Sequence, residues 1–133
     1  MKRDIVIATC QFPVSGKIEK NLAFILKLMT QANHKGAEIV FVFDAVYSGG
    51  TAGAVYRLDA VKESLADDLF QLSTHKMGIV EAVELSRVLN QLPPELILYG
   101  IAGQNFGQGQ GLSLPCKRSA LNVIRRVLVE IGF

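Results

Sequence analysis

The chain has 133 residues, half of them apolar and a fifth charged, and its formal net charge is +2. This composition is too apolar for a disordered chain and suits one domain with a single hydrophobic core. The basic residues are not interleaved with aromatic residues in a patch, so the usual signature of a nucleic-acid-binding protein is missing.

The amino terminus and the cysteines favour a cytoplasmic protein. The apolar run at residues 5–10 is too short for a signal peptide or a membrane span. Cys10 and Cys116 form neither a Cys-x-x-Cys pair nor a disulfide framework. We interpret Cys10 as a core residue, whereas Cys116, in the first turn of a predicted helix, is either inert or a reactive thiol.

The first third of the chain predicts a strand, a helix and a second strand. Residues 5–10 form a continuous β-branched run, typical of a strand buried on both faces. Apolar residues at helical spacing predict a helix from an N-cap at Ser15 to about His34, ended by Gly36 in a left-handed conformation. A second predicted strand at 38–43 follows, and the two strands of such a unit should be parallel.

The rest of the chain predicts two more strands and two more helices. Residues 54–58 follow the second strand after only a turn, so they should return antiparallel, and residues 96–101 form the last strand. The third predicted strand is followed by a helix that Ser73 or Thr74 caps and that Pro93-Pro94 stops. Its expected apolar face consists of Met77, Val80, Val83, Leu85, Val88, Leu89 and Leu92.

Ser113 is the predicted N-cap of the last helix, with Pro115 in its first turn. The residues that this helix should bury are Leu121, Val123, Ile124, Val127, Leu128 and Ile131. Its basic residues have two interpretations, a solvated helix face or a contact surface for an acidic partner. They are Lys117, Arg118, Arg125 and Arg126.

Asp44 is the first candidate for a functional residue. It ends the buried strand at 38–43 and precedes a glycine-rich loop at 48–53. Ligands of open α/β sheets bind at the carboxyl ends of central strands, which is where Asp44 should lie. The alternative is that Asp44 only caps backbone groups of its own loop.

Residues 43–133 resemble the hydrogenase maturation endopeptidases, which remove the C-terminal tail of the large subunit of nickel-iron hydrogenase once nickel is in place. The resemblance rests on four segments, residues 44–59, 73–79, 96–101 and 111–113. It implies that Asp44 and His75 contact the nickel and that the hydrogenase large subunit is the partner. The family's third acidic ligand has no obvious match, and Glu19 is the nearest substitute.

Residues 4–42 instead resemble the start of the nitrilase superfamily of carbon–nitrogen hydrolases. The similar segments are residues 5–14, 20–22 and 36–40. The nitrilase general base, lysine and nucleophilic cysteine have no counterparts here. Together the two resemblances predict a chimera joined near residues 42/43, within one domain at 1–133, or else a natural protein with a strongly diverged first half.

These resemblances imply a three-layer α/β/α sandwich with a four-stranded, mostly parallel sheet. Numbered along the chain, its strands should follow the order 1-2-4-3, with strand 3 antiparallel. Strand 1 is then an exposed edge, which predicts a homodimer formed through this strand and the first helix.

Three functions compete at this point. The favoured hypothesis is a hybrid domain without an intact active site, of structural interest as a recombined or designed fold. The first alternative is a nickel-guided endopeptidase that matures the hydrogenase large subunit, with Asp44, His75 and either Glu19 or water at the metal. The second is a small metal- or partner-binding module.

Overall fold

The computed structural model describes residues 17–64, 79–107, 109 and 111–133. The predicted strand at 5–10 and the predicted caps Ser73 and Thr74 lie outside these residues. The prediction of Ser15 as the N-cap of the first helix was wrong, because Lys17 takes that position. None of the helices in the described part of the chain is long and apolar enough to cross a membrane. The elements, in chain order, are α1 (Ile18–His34), β1 (Ile39–Val46), β2 (Val55–Asp59), α2 (Ile79–Val88), β3 (Glu95–Ala102) and α3 (Leu114–Glu130).

The three strands form a mixed sheet in the order β1-β3-β2. β1 runs parallel to β3 from the pair Ile39–Glu95 to the pair Val46–Ala102. β2 runs antiparallel to β3, as predicted for the segment that follows the glycine-rich loop. β1, β2 and β3 correspond to the second, third and fourth predicted strands. Their order therefore agrees with the 2-4-3 part of the predicted order. The four-stranded sheet is not confirmed, because its first strand falls outside the described residues.

Helices cover both faces of this sheet. On one face, Ile25 and Met29 of α1 and Val83 of α2 pack with Leu96 and Leu98 of β3. On the other face, Val123 of α3 packs against Ile97 and Tyr99 of the same strand. Side chains alternate along a strand, so β3 contributes to both cores and is the central strand of three layers.

The ends of α1 and α2 are set by residues in the left-handed region. Gly36 has φ +78°, and the backbone N–H groups of Gly36 and Ala37 donate to Asn33 and Ala32. This is a Schellman motif, and it confirms the predicted role of Gly36. Asn90 with φ +52° ends α2 in the same way. The prediction that Pro93-Pro94 stops α2 was therefore wrong, because the helix ends several residues earlier.

The predicted buried faces of α2 and α3 were wrong in part. Leu121, Ile124 and Leu128 of α3 are exposed, whereas Val123 is buried. On α2, Leu85 and Val88 are likewise exposed, and the exposed Leu89 lies just beyond the end of the helix. Each helix carries apolar residues around more than one side, and only the side that meets the sheet is covered. The sequence pattern does not specify which side that is.

Arg87 holds the segment that follows β2. Arg87 of α2 donates hydrogen bonds to the carbonyls of Val61 (3.0 Å), Glu63 (3.2 Å) and Ala60. A guanidinium with several donors in a fixed plane suits such a cluster of carbonyls. Arg87 thereby ties the turn after β2 to the helix that follows it.

Candidate functional site

Asp44 lies within β1 and does not end it. The parallel ladder continues past the Asp44–Gly100 pair to Val46 and Ala102. The prediction that the strand stops at the carboxylate was therefore wrong, because β3 pairs with two further residues. Asp44 still lies in the last third of the strand, near the carboxyl edge of the parallel pair.

The Asp44 side chain lies on the face of the sheet that carries α1 and α2. Val40, Val42 and Val46 of β1 all pack in the core on that face, and Asp44 shares their alternation. Asp44 is half-buried, and its Oδ1 accepts a hydrogen bond from the N–H of Ala45 at 2.8 Å. This hydrogen bond is the local backbone contact expected if Asp44 only caps nearby backbone groups. The same carboxylate also occupies a position typical of ligand sites.

The topology places the first turn of α1 at the same edge. A short turn joins α1 to β1, and α1 packs back along this face. A helix of 17 residues is about 26 Å long, and a strand of eight residues has about the same length. The start of α1, with the exposed Glu19, therefore reaches the level of the carboxyl end of β1.

His75 lies outside the described residues, four positions before the first residue of α2. Within residues 17–64, 79–107, 109 and 111–133, no three His, Cys, Asp or Glu side chains are grouped closely enough to hold a metal ion. The described residues thus supply carboxylates at one edge of the sheet, and the predicted Asp44–His75 pair stays a prediction.

The glycine-rich loop after Asp44 is fixed at its far end. Gly53 has φ +86°, and its N–H donates to the carbonyl of Ala102 at 2.7 Å, while its own carbonyl accepts from Ser119 of α3. A Cβ atom at Gly53 would lie 3.0 Å from Pro115 Cβ and from Pro115 O. This position therefore requires glycine both for its backbone conformation and for close contact with α3.

Cys116 does not fit a catalytic nucleophile. Its side chain is buried, and its thiol donates to the carbonyl of Ala102 at 3.4 Å. A reactive cysteine must be accessible to its substrate, and the buried Cys116 side chain is not. The inert alternative is the one that the structure supports.

A second cluster of charged residues lies on the α3 face, and the sequence patterns did not reveal it. Arg57 donates to Glu130 from Nε (3.0 Å) and from Nη2 (2.7 Å), and the Tyr99 hydroxyl donates to the same carboxylate. Arg57 and Glu130 are 73 positions apart in the chain, so no local spacing could have indicated the pair.

These contacts shift the pKa values of all three groups. The hydrogen bonds from Arg57 hold the pKa of Glu130 below its ordinary value, and the same pair raises the pKa of Arg57. Burial, and then the hydrogen bond to Glu130, raises the pKa of the Tyr99 hydroxyl. Beside this cluster is an open pocket of about 380 Å³, whose lining includes Arg125 and Arg126.

The fold and the position of Asp44 define a doubly covered α/β domain with a carboxylate at the edge where such sheets bind ligands. The family model for hydrogenase maturation protease, HycI, matches residues 18–130. The chain therefore belongs to the hydrogenase maturation protease family. No curated protein sequence matches it significantly.

Solved structures of the same kind share the fold. The hydrogenase-maturating endopeptidase HybD from E. coli is 21% identical with a TM-score of 0.61, over 83% of this chain and 67% of that one. The endopeptidase HycI from E. coli is 18% identical with a TM-score of 0.61, over 81% and 65%. The NiFe hydrogenase maturation protease HybD from Thermococcus kodakarensis is 20% identical with a TM-score of 0.56, over 82% and 84%. The matched region is about two thirds of the length of the E. coli proteins.

These comparisons overturn the hypothesis of a hybrid domain without an active site. The family match begins at residue 18 and runs across the proposed join at 42/43. Nothing supports a nitrilase-like segment, a designed chimera or a homodimer. Apolar runs joined by an amphipathic segment carry few polar signatures, so residues 4–42 resembled the start of an unrelated α/β family.

Proposed function

We propose that this protein is an endopeptidase that removes the C-terminal tail of the large subunit of a nickel-iron hydrogenase. The observation that carries the proposal is the family match over residues 18–130, which includes the strand that bears Asp44. The position of this carboxylate at the carboxyl edge of β1 supports the same function, since substrates of α/β sheets approach that edge.

Asp44 and His75 are the residues we assign to nickel recognition, with Glu19 or a water molecule as a third contact. Carboxylate and imidazole are suitable ligands for divalent nickel, as they are for zinc and manganese. In this proposal the nickel belongs to the large subunit, whose own side chains hold it. The protease then needs only two or three contacts, which fits the sparse donor set among the described residues.

The role of these contacts is to position the substrate. A half-buried carboxylate at the sheet edge attracts the metal-loaded form of the large subunit over the empty form. The glycine-rich loop after β1 is held against α3 by Gly53 and Ser119, so the segment that follows the carboxylate is fixed at its far end. Cys116 takes no part, because its thiol is buried against Ala102.

The test is processing of a purified large-subunit precursor with and without nickel, followed by the mass of the released tail. Asp44→Asn and His75→Ala should each abolish processing, and Glu19→Gln should reduce it. Glu95→Gln and His34→Ala are matched controls, since both residues are exposed at the opposite edge of the sheet. Full processing by the Asp44 and His75 variants, or equal processing of nickel-free precursor, would contradict the proposal.

A further inference from the structure

The solvent side of α3 carries an apolar stripe that nothing in the described chain covers. Leu121, Ile124 and Leu128 are 60%, 55% and 43% exposed, while Val123 on the opposite side is 2% exposed. Residues spaced by three, four and seven positions share one helix face. Three adjacent large side chains therefore form a continuous apolar surface, which we call the outer face of α3.

The same face is strongly basic. Its charged side chains are all exposed, and none forms an ion pair with another described residue. The carboxylate of Glu130, at the end of the helix, is already bonded to Arg57 and Tyr99. The outer face thus presents positive charge without internal neutralisation. The residues concerned are Lys117, Arg118 and Arg125, whereas Arg126, three positions after the buried Val123, lies on the flank of α3 that lines the pocket.

The basic surface borders a concave flank of α3. The open pocket of about 380 Å³ is lined by Arg125, Arg126 and Arg57 and also by Glu130; because Glu130 already engages Arg57, the arginines left to bind a ligand are Arg125 and Arg126. Guanidinium groups bind carboxylates through two parallel hydrogen bonds, and Val129 adds an apolar wall. A pocket of this size accommodates one acidic side chain or a chain end.

We propose that the outer face of α3 is a docking surface for an acidic, amphipathic segment of a partner protein. The apolar side of that segment covers Leu121, Ile124 and Leu128, and its carboxylates meet the flanking basic residues and the arginine pocket. Docking of one amphipathic helix face on another is an established mode of recognition, and complementary charge sets its orientation. This surface is distinct from the carboxylate edge at Asp44.

The charges distinguish this occupant from a second copy of the chain. Pairing α3 with itself would bring the same unneutralised positive charges together, which disfavours self-association. A flat anionic membrane would satisfy the charge, but it has no group that projects into the arginine pocket.

The proposal is tested with a synthetic 18-residue peptide that has leucines on one helical face and glutamates on the others. Binding to the 133-residue protein is measured by fluorescence anisotropy and mapped by amide chemical shifts. We expect saturable binding with shifts confined to α3 and the pocket. Raising the salt from 50 to 500 mM should weaken it about tenfold, because exposed charges are screened.

Two variants and two matched controls make the test specific. Ile124→Gln and Arg125→Glu should each weaken binding at least about fivefold. Val88→Gln on α2 and Lys27→Glu on α1 make the same changes at exposed sites elsewhere and should leave binding unchanged. Circular dichroism checks that all four variants stay folded.

Several outcomes would overturn the proposal. They are equal binding of a scrambled peptide of the same composition, an equal effect of the control variants, or no binding at all. Binding only to vesicles with 30% phosphatidylserine would assign the surface to a membrane. A dimer in sedimentation velocity that Ile124→Gln dissociates would assign it to a second copy. Neither result depends on whether the protein cleaves a hydrogenase subunit.

Discussion

Arg57 and Glu130 form a two-point ion pair that links β2 to the last residue of α3. The Nε–Oε1 and Nη2–Oε2 distances are 3.0 Å and 2.7 Å, and the Tyr99 hydroxyl completes the contact with the carboxylate. The pair joins the antiparallel strand at one sheet edge to the carboxyl end of α3. Its contribution to stability is measurable through pH.

Glu130→Gln should lower the free energy of unfolding by about 1 kcal/mol at pH 7, as expected for a well-aligned pair that is partly exposed. Because the pKa of Glu130 is lowered in the folded protein, its contribution is fully present above the unfolded value of about 4.3. The contribution is lost as the pH falls through the lower, folded-state pKa. Urea unfolding should therefore show a smaller difference in the free energy of unfolding between wild type and Glu130→Gln at pH 3 than at pH 7. Glu95→Gln, which removes an exposed carboxylate elsewhere, should change little at either pH.

Neighbouring residues on α3 should differ sharply in their effect on stability. Val123 is 2% exposed and packs on the sheet, so Val123→Ala should cost about 2 kcal/mol through lost burial and a small cavity. Ile124 is 55% exposed, and Ile124→Ala should change the free energy of unfolding by no more than about 0.5 kcal/mol. Denaturant unfolding measures both changes in the free energy of unfolding, and the m-values of the two variants should equal that of wild type. Equal losses would mean that the helix packs on the sheet through another side.

Gly53→Ala should destabilise the protein more than Gly49→Ala. Both glycines have positive φ, so an alanine at either position carries a backbone penalty of about 1–2 kcal/mol. Only at Gly53 would the new methyl group meet Pro115, at 3.0 Å, and this clash adds about 1–3 kcal/mol. At Gly49 nothing lies within 4 Å of the added atom. The difference between the two thermal unfolding midpoints isolates the clash, and identical midpoints would contradict the contact between the loop and α3.

Arg87→Met should loosen the turn after β2. Methionine keeps most of the apolar part of the arginine side chain, so the packing of that part is preserved. The substitution removes the hydrogen bonds to Ala60, Val61 and Glu63, and we expect a loss of about 2 kcal/mol. Amide hydrogen exchange of residues 60–63 should become faster. Arg118→Met, at an exposed position without such contacts, serves as the control. Unchanged exchange in the Arg87 variant would show that the turn is held by other contacts.

Sequence rules for helix ends and turns predicted the structure correctly where one residue or one short loop determines it. Gly36 ends α1 because only a residue that tolerates positive φ fits there, and the short loop before β2 sets its antiparallel direction. The faces of α2 and α3 could not be predicted in full. Apolar residues around several sides of a helix leave open which side the sheet covers, as Val123 and Ile124 illustrate.

The candidate site was predictable only in outline. The position of Asp44 follows from the apolar run before it and the loop after it. The predicted full burial of this strand was wrong, because most of its residues are only half-buried, and the exact end of the strand depends on pairing with residues 56 positions later. His75 was predicted from family resemblance alone and stays a prediction. The cluster of Arg57, Tyr99 and Glu130 left no sequence signal, because its members come from three separate elements.

The unbroken one-to-one pairing of β1 with β3 restricts how the length of this strand can change. One residue inserted or deleted between Val42 and Asp44 would turn the carboxylate toward the α3 side of the sheet. Two residues would restore the correct side but move the carboxylate roughly 7 Å along β3. The alternation of side chains along β1 thus determines on which face of the sheet the carboxylate lies. Changes in chain length are therefore far better tolerated in the loops on either side of this strand.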